Sequence, residues 1–306
     1  MQNRYFVMLF NPMLNTINSF KRPNICTILS PSDVTILAAL TRYHYLSANQ
    51  VLRLHYSKGS LTYVQSRLKR LSDLGYAQRL FLPRPEAHGS APSVFRLTRK
   101  GINHLQEPGV EVVVRYRPSD HNRHSYLFLD HTLALNDFLI ASELLVRASE
   151  TISMAAMRHE RELRQKPLYV ELEAKRTAVI PDAWLDFRAN GLQACLWVEL
   201  DMGTEEQKRW RKKVAALTCL ASGPYEKAFN TTSMTVAVVS RAGEKRTRDL
   251  IRWTEAELES LGEKAQAGLF RVGTSLGSED PESLFLEPRW YQPFSPHASP
   301  LLEGLA

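Results

Sequence analysis

Apolar residues recur at three- and four-residue steps through three successive stretches of the N-terminal third. In the first, Val34, Leu37 and Leu40, with Ile36 beside them, predict a helix opening at Ser30-Pro31-Ser32-Asp33. Ser30 suits the N-cap, Pro31 the first helical position, and Asp33 the positive end of the helix dipole. A second, short helix is predicted from about Ser47 to Leu54, capped by Ser47 or Asn49, with Ser57-Lys58-Gly59-Ser60 as the following turn. The third runs from about Ser60 to Leu74, where Leu61, Val64, Leu68 and Leu71 share one face. Gly75 ends it. Tyr76–Leu82 and Ser93–Leu97 then read as two strands around a Pro/Gly/Ser-rich tip, Pro83 to Pro92, and Thr98 caps a last helix, Arg99–Gln106.

Glu107-Pro108-Gly109 breaks this pattern. Val110 to Arg115 reads as a strand or extended link, and Pro118 to Ser125 as a polar loop. Asp130 to Ala148 is a strong helix with apolar Leu133, Leu135, Phe138, Leu139, Leu144 and Leu145. Strands are expected at Leu168–Leu172, Val179–Phe187 and Ala194–Leu200. A helix at Thr204–Ala221, capped by Thr204, follows, then a strand at Met234–Val239, a helix at Glu244–Leu261 and a strand at Leu269–Gly273. The order αβββαβ, with one further helix and strand, fits an α/β sheet flanked by helices. From Thr274 the chain is rich in Ser, Pro and Gly, yet Leu284, Phe285, Trp290, Tyr291 and Phe294 predict a tail that drapes over the second domain or meets a second subunit. The expected divisions are an N-terminal extension (1–29), a first domain (30–108), a linker (109–129), a second domain (130–273) and the tail (274–306). There are no internal repeats.

Helix, helix, helix, β-hairpin, helix is the order of a winged helix-turn-helix, and Leu97-Thr98-x-x-Gly101 is similar to many winged-helix transcription regulators. Charge gives that unit a partner. Residues 1–108 carry 14 Lys/Arg against 4 Asp/Glu, and the rest of the chain 25 against 28, so the whole net charge of +7 originates in the first third. A basic lobe without a basic amphipathic anchor points to double-stranded DNA rather than a membrane. Winged helices also dock proteins, and this asymmetry argues for DNA. The outer face of the third helix presents Thr62, Tyr63, Ser66, Arg67, Lys69 and Arg70 to phosphates and base edges; Lys58 in the turn and Arg79 and Arg84 in the wing extend the set. A homodimer reading two half-sites is compatible with such a unit. Three scattered cysteines (Cys26, Cys195, Cys219) exclude a disulfide framework or zinc finger and fit a reducing cytoplasm. Neither a signal peptide nor an apolar run of transmembrane length is expected.

Ile180-Pro181-Asp182 opens one strand, and Val198-Glu199-Leu200-Asp201 closes the next. Glu199 and Asp201, two apart on a strand, project together. With Asp182 alongside, three carboxylates form an all-oxygen set suited to Mg²⁺ or Mn²⁺. His121, His124 and His131 fit no common zinc spacing and read as a loop and a helix cap. The αβββαβ order and the spacing Pro181-Asp182 … Glu199-x-Asp201 resemble the PD-(D/E)xK nuclease superfamily, which implies a restriction-endonuclease-like domain and metal-dependent DNA cleavage. Asp201 stands where that signature has its lysine. The resemblance then assigns the lysine's role to the following helix, to Lys213 before Lys212 or Lys208, and the first-helix acid to Glu143 or Glu160. Glu199-Leu200-Asp201-Met202-Gly203-Thr204-Glu205 followed by Lys213, and His131-x-x-Ala134-Leu135-Asn136-Asp137, are similar to motifs of the replication-relaxation family. That resemblance implies a winged helix joined to a nuclease-like domain, a place on plasmids or other mobile elements, and replication or transfer proteins as partners. The leading expectation is a DNA-binding protein acting in plasmid replication, transfer or their control. Its rivals are a Mg²⁺-dependent endonuclease, and a transcriptional regulator with a non-catalytic dimerisation domain.

Overall fold

The computed structural model describes residues 29–82, 93–106, 126–275, 277 and 279–305. The N-terminal extension, Arg84 and the wing tip, and most of the expected linker, including His121 and His124, lie outside the described residues.

Helix α1 (Pro31–Tyr43) begins where the cap signals place it: Ser30 accepts from the Asp33 N–H, and the Asp33 carboxylate accepts from the Ser30 N–H in return. Strand β1 (Leu46–Ser47) leads into α2 (Ala48–His55), closed by the same reciprocal box between Ser47 and Gln50. Helix α3 (Leu61–Asp73) buries Val64, Leu68 and Leu71. Strands β2 (Ala77–Phe81) and β3 (Ser93–Leu97) form an antiparallel hairpin that β1 extends to a three-stranded sheet, β1-β3-β2, before α4 (Arg99–Gln106).

The Leu97-Thr98-x-x-Gly101 sequence has a mechanical reason. The Thr98 hydroxyl donates to the Gly75 carbonyl at 2.7 Å and accepts from the Gly101 N–H at 3.2 Å, tying the end of the hairpin to the end of α3. A Cβ on Gly101 would overlap the Tyr76 carbonyl oxygen and lie 2.8 Å from Leu97 Cδ2. Gly101→Ala is therefore expected to destabilise the protein by about 1–3 kcal/mol despite alanine's better helix propensity. Urea unfolding checks this, and a stabilised variant would contradict it.

Helix α5 (Tyr126–Ala148) starts one turn before the expected Asp130. It is followed by β4 (Ser153–His159), α6 (Glu160–Leu163), β5 (Leu168–Leu172), β6 (Lys175–Val179), β7 (Ala183–Ala189) and β8 (Leu192–Asp201). Helices α7 (Gln207–Ala221) and α8 (Pro224–Phe229) lead to β9 (Thr235–Ser240), α9 (Gly243–Leu261) and β10 (Phe270–Thr274); α10 (Pro281–Leu286), β11 (Trp290–Tyr291) and β12 (Ala298–Ser299) finish the chain. Among the described residues the main sheet has seven strands in the order β12-β11-β10-β9-β8-β7-β4. Strands β8, β9 and β10 are parallel, and the remaining neighbours antiparallel.

The period of two in β8 divides the interior. Leu196, Val198 and Leu200 face α5 and a core that runs without a break into α1, α2 and α3. Cys195 and Trp197 face the opposite layer, where α7 and α9 contribute Trp210, Val214, Leu217, Leu250 and Leu258.

Three expectations need correction. The first sheet strand is β4, not Leu168–Leu172, because β5 pairs only with β6 in a separate two-stranded sheet. The expected strand Val179–Phe187 is two elements, split at Ile180–Asp182, where Pro181 supplies no N–H for a ladder. Helix α7 starts at Gln207, so Thr204 is not its cap and Glu205 stands in the preceding loop. The tail packs on the second domain as expected: Leu284, Phe285 and Trp290 are fully buried beside Phe138 and Phe187, whereas Tyr291 and Phe294 are exposed. Among the described residues no helix is long and apolar enough to cross a membrane.

Candidate functional site

Asp182 sits at the entrance to β7. Its N–H donates to the Val198 carbonyl at 3.0 Å and its carboxylate accepts from the Leu200 N–H at 2.7 Å, which holds the side chain against the end of β8. Glu199, on the face of β8 turned toward α7, accepts from Trp197 Nε1 at 2.8 Å and from Lys213 Nζ at 3.0 Å. Lys213 also bonds Glu205 at 3.2 Å. Asp182, Glu199 and Lys213, named on separate segments of sequence, thus converge.

Asp201 does not join them. It shares the face of Glu199, as the strand period requires, but Arg246 of α9 takes both its oxygens, at 2.9 and 2.8 Å, and the Gly203 N–H adds a third bond at 3.1 Å. The expected three-carboxylate ligand set fails here. Asp201 is buried and neutralised by a guanidinium whose reach from another helix no strand periodicity reveals.

His131, which its spacing assigns to a loop and helix cap, is placed otherwise. It lies inside α5, with Nε2 3.5 Å from the Asp182 carboxylate. Glu160 lies close too, its N–H donating to the Asp182 carbonyl at 2.7 Å, while its carboxylate pairs with Arg164. Glu143, the other acid considered, is engaged far from the cluster with Tyr43, Arg42 and Arg147. The signal for His131 was available in the apolar pattern of α5, which continues upstream through Leu127 and Leu129 and makes position 131 interior to the helix.

Electrostatics separates the roles. Burial works to raise Asp182, but the hydrogen bond and charge of His131 outweigh it and hold the carboxyl below its ordinary value. Burial pushes Glu199 up to about 7, with Lys213 pulling the other way and the Asp182 charge adding to the rise. Burial would lower the Lys213 ammonium, yet Glu199 and Glu205 hold it above the ordinary lysine range. Lys213 is therefore a fixed positive charge rather than a base at neutral pH.

The donor set bears on a cation. Among the described residues no three His, Cys, Asp or Glu side chains gather as a metal-holding group. Two hard carboxylates, Asp182 and Glu199, lie close enough for the charge of one to raise the other, and both Glu199 oxygens are held by Trp197 and Lys213. That set fits Mg²⁺ or Mn²⁺, which commonly takes one or two carboxylates and completes its shell with water and substrate phosphate.

The replication-relaxation profile matches residues 37–235, more than half of the chain. The chain belongs to the replication-relaxation family. No curated protein matches it. The solved structure of restriction endonuclease FokI is similar at 10% identity over 76% of this chain and 70% of that chain, with a TM-score of 0.21, a likeness too low to carry argument.

In this replication-relaxation protein the outer face of α3 is partly as expected. Lys58, Thr62, Tyr63, Ser66 and Lys69 are exposed, as is Gln65, which the same helical spacing would have added. Lys69 pairs with Asp73 across one turn at 2.9 Å. Arg79 is exposed on β2, bonded to Ser93 and stacked 4.6 Å over Phe81. Arg67 points the other way. It grips the wholly buried Asp33 through Nε at 2.9 Å and through its terminal nitrogen, which also donates to Ser30 at 2.6 Å; Arg70 adds a further bond to Asp33 at 2.9 Å. Arg67 is a structural tie between α3 and the cap of α1, and Arg70 is half engaged in it.

Proposed function

We propose that the protein binds double-stranded DNA through α1–α4 and β1–β3, acting as a winged helix with α3 as its recognition helix, in the replication or transfer of a mobile element. The observation that carries this reading is the exposed row Lys58, Thr62, Tyr63, Ser66 and Lys69 along one face of the turn and α3 in the basic third of the chain. Exposed lysines bind phosphate by displacing counterions, so affinity falls steeply with salt. In gel shifts across a salt series, Lys58→Ala/Lys69→Ala is expected to lower the slope of log affinity against log salt by about two, one per phosphate contact. An unchanged slope would remove this face from the interface. Arg67→Ala cannot serve as that test, since it would disturb the Asp33 tie.

A second reading, metal-dependent cleavage of the bound DNA, is favoured by the meeting of Asp182, Glu199 and Lys213 beside the αβββαβ frame of α5, β4, β7, β8, α7 and β9. Asp182 and Glu199 would hold Mg²⁺ or Mn²⁺, which supplies an activated water and charge neutralisation at a phosphate. The chain's own part is to fix the geometry. His131 and the Leu200 N–H orient Asp182, and Trp197 orients Glu199. Lys213 supplies a standing positive charge for a phosphate oxygen. Nicking of supercoiled plasmid by wild type but not by Asp182→Ala supports cleavage, and identical behaviour of the two refutes it. The rest of the reading is a cytoplasmic setting, a homodimer on paired half-sites, and contacts with other replication or transfer proteins.

A further inference from the structure

A cleft of about 460 Å³ opens directly beside the carboxylates, within the roughly 300–1,000 Å³ typical of small-ligand sites. Two of its lining residues belong to the cluster's own framework. Pro181 precedes Asp182 in the chain, and Trp197 donates its indole N–H to Glu199. Arg158 comes from β4 of the same sheet, and the other walls from elements added around it: Leu163 of α6 and Lys166 just after it, the base of the β5–β6 hairpin, and Phe229 of α8. The lining is mainly apolar, with Arg158 and Lys166 as its cations. Arg158 is exposed, with its guanidinium 5.3 Å over the Trp184 ring and 5.8 Å over Phe229. Among the described residues neither Arg158 nor Lys166 is ion-paired. The one acid in the lining, Glu162, accepts from the backbone N–H of His159 and also feels the charge of Arg158.

We infer that this cleft takes one unpaired nucleotide of DNA, with its base on the apolar wall and its phosphate on Arg158 and Lys166. The inference rests on the reading that Asp182, Glu199 and Lys213 meet DNA, and it names the substrate class: a junction, flap or gap rather than an uninterrupted duplex. A paired base offers only its edges in the grooves, and a duplex is too wide for a space of this size. An unpaired base can lay its face on the apolar wall of Leu163, Leu168, Val179 and the edge of Phe229, a contact indifferent to sequence. Both cations are charge-complementary to the nucleotide's phosphate, and Pro181 and Trp197 join the cleft to the cluster of Asp182 and Glu199.

The test is equilibrium binding in EDTA, so that cleavage plays no part. The probes are a fully paired duplex and the same duplex carrying one unpaired 2-aminopurine. Wild type is expected to bind the second about tenfold more tightly, as one stacked base provides, with a change in 2-aminopurine fluorescence. Arg158→Glu and Lys166→Glu are each expected to abolish the preference and keep the duplex affinity. Equal affinity of wild type for the two probes, or a preference unaffected by both substitutions, overturns the inference while leaving duplex binding intact. A preference that holds in a protein without Mn²⁺-dependent nicking supports the cleft and removes the nuclease reading alone.

Discussion

Asp33→Ala is expected to lower the stability of the N-terminal unit by about 3–5 kcal/mol, the range for removing one partner of a buried ion pair. The Asp33 side chain is wholly buried and receives the Ser30 N–H, two contacts from Arg67 and one from Arg70. Loss of the cap alone would cost about 1 kcal/mol. The larger part is the guanidinium of Arg67, itself mostly buried, left without an anion. Arg67→Met should cost less than Asp33→Ala, because Asp33 keeps Arg70 and its backbone donor. Burial works to raise the Asp33 carboxyl, but the Ser30 N–H and Arg67 outweigh it and hold it below the ordinary 3.8. A depressed acid contributes stability that is complete above its unfolded pKa and vanishes as pH falls through the folded value. Urea melts followed by circular dichroism should therefore show the gap between wild type and Asp33→Ala closing below about pH 4. A loss under 1 kcal/mol at pH 7, smaller than the cap alone contributes, would show that the tie is incidental.

The same tie shows where sequence reasoning stops. Ser30, Pro31 and Asp33 were legible as a helix start because capping is local, and the Val64, Leu68 and Leu71 stripe placed α3 to within a residue. Periodicity also put Arg67 outward, and the fold overruled it. Arg67 lies at the edge of the buried stripe, close enough for a long side chain to turn back to α1, a contact between residues 34 apart in sequence. Strand β4 was missed because Ser153–His159 alternates weakly, and its partner β7 lies beyond an inserted hairpin. In the acidic cluster the spacing of Asp182 and Glu199 was readable, and so was Lys213 through the family motif. What could not be read was the division of labour between two acids on one strand face. Arg246 reaches Asp201 from 45 residues away, so the acid nearest in sequence to Glu199 is the one withdrawn from the cluster.

On the proposed cleavage reading, Lys213→Met is expected to reduce nicking by about 10²–10³, the usual effect of removing one preorganised stabilising charge, and on any reading to destabilise the fold. The difficulty is to separate these effects. Lys213 pulls the almost fully buried Glu199 carboxyl down against its burial, so its removal leaves a buried acid that must take up a proton or stand uncompensated. Glu199→Gln in the same chain removes that titrating group. The double variant should therefore regain most of the stability lost by Lys213→Met, since a neutral pair of similar shape replaces a buried ion pair at little cost. Cleavage should not return, because the amide has lost the charge that holds a cation and the methionine offers none to a phosphate. Thermal unfolding and plasmid nicking, measured on wild type, both single variants and the double, resolve the two roles as one cycle. Recovery of stability without recovery of nicking shows that the Glu199–Lys213 pair serves the chemistry as well as the fold. Nicking that follows stability through all four proteins would reduce Lys213 to a structural counter-ion and leave Asp182 and Glu199 without the charge their reading requires.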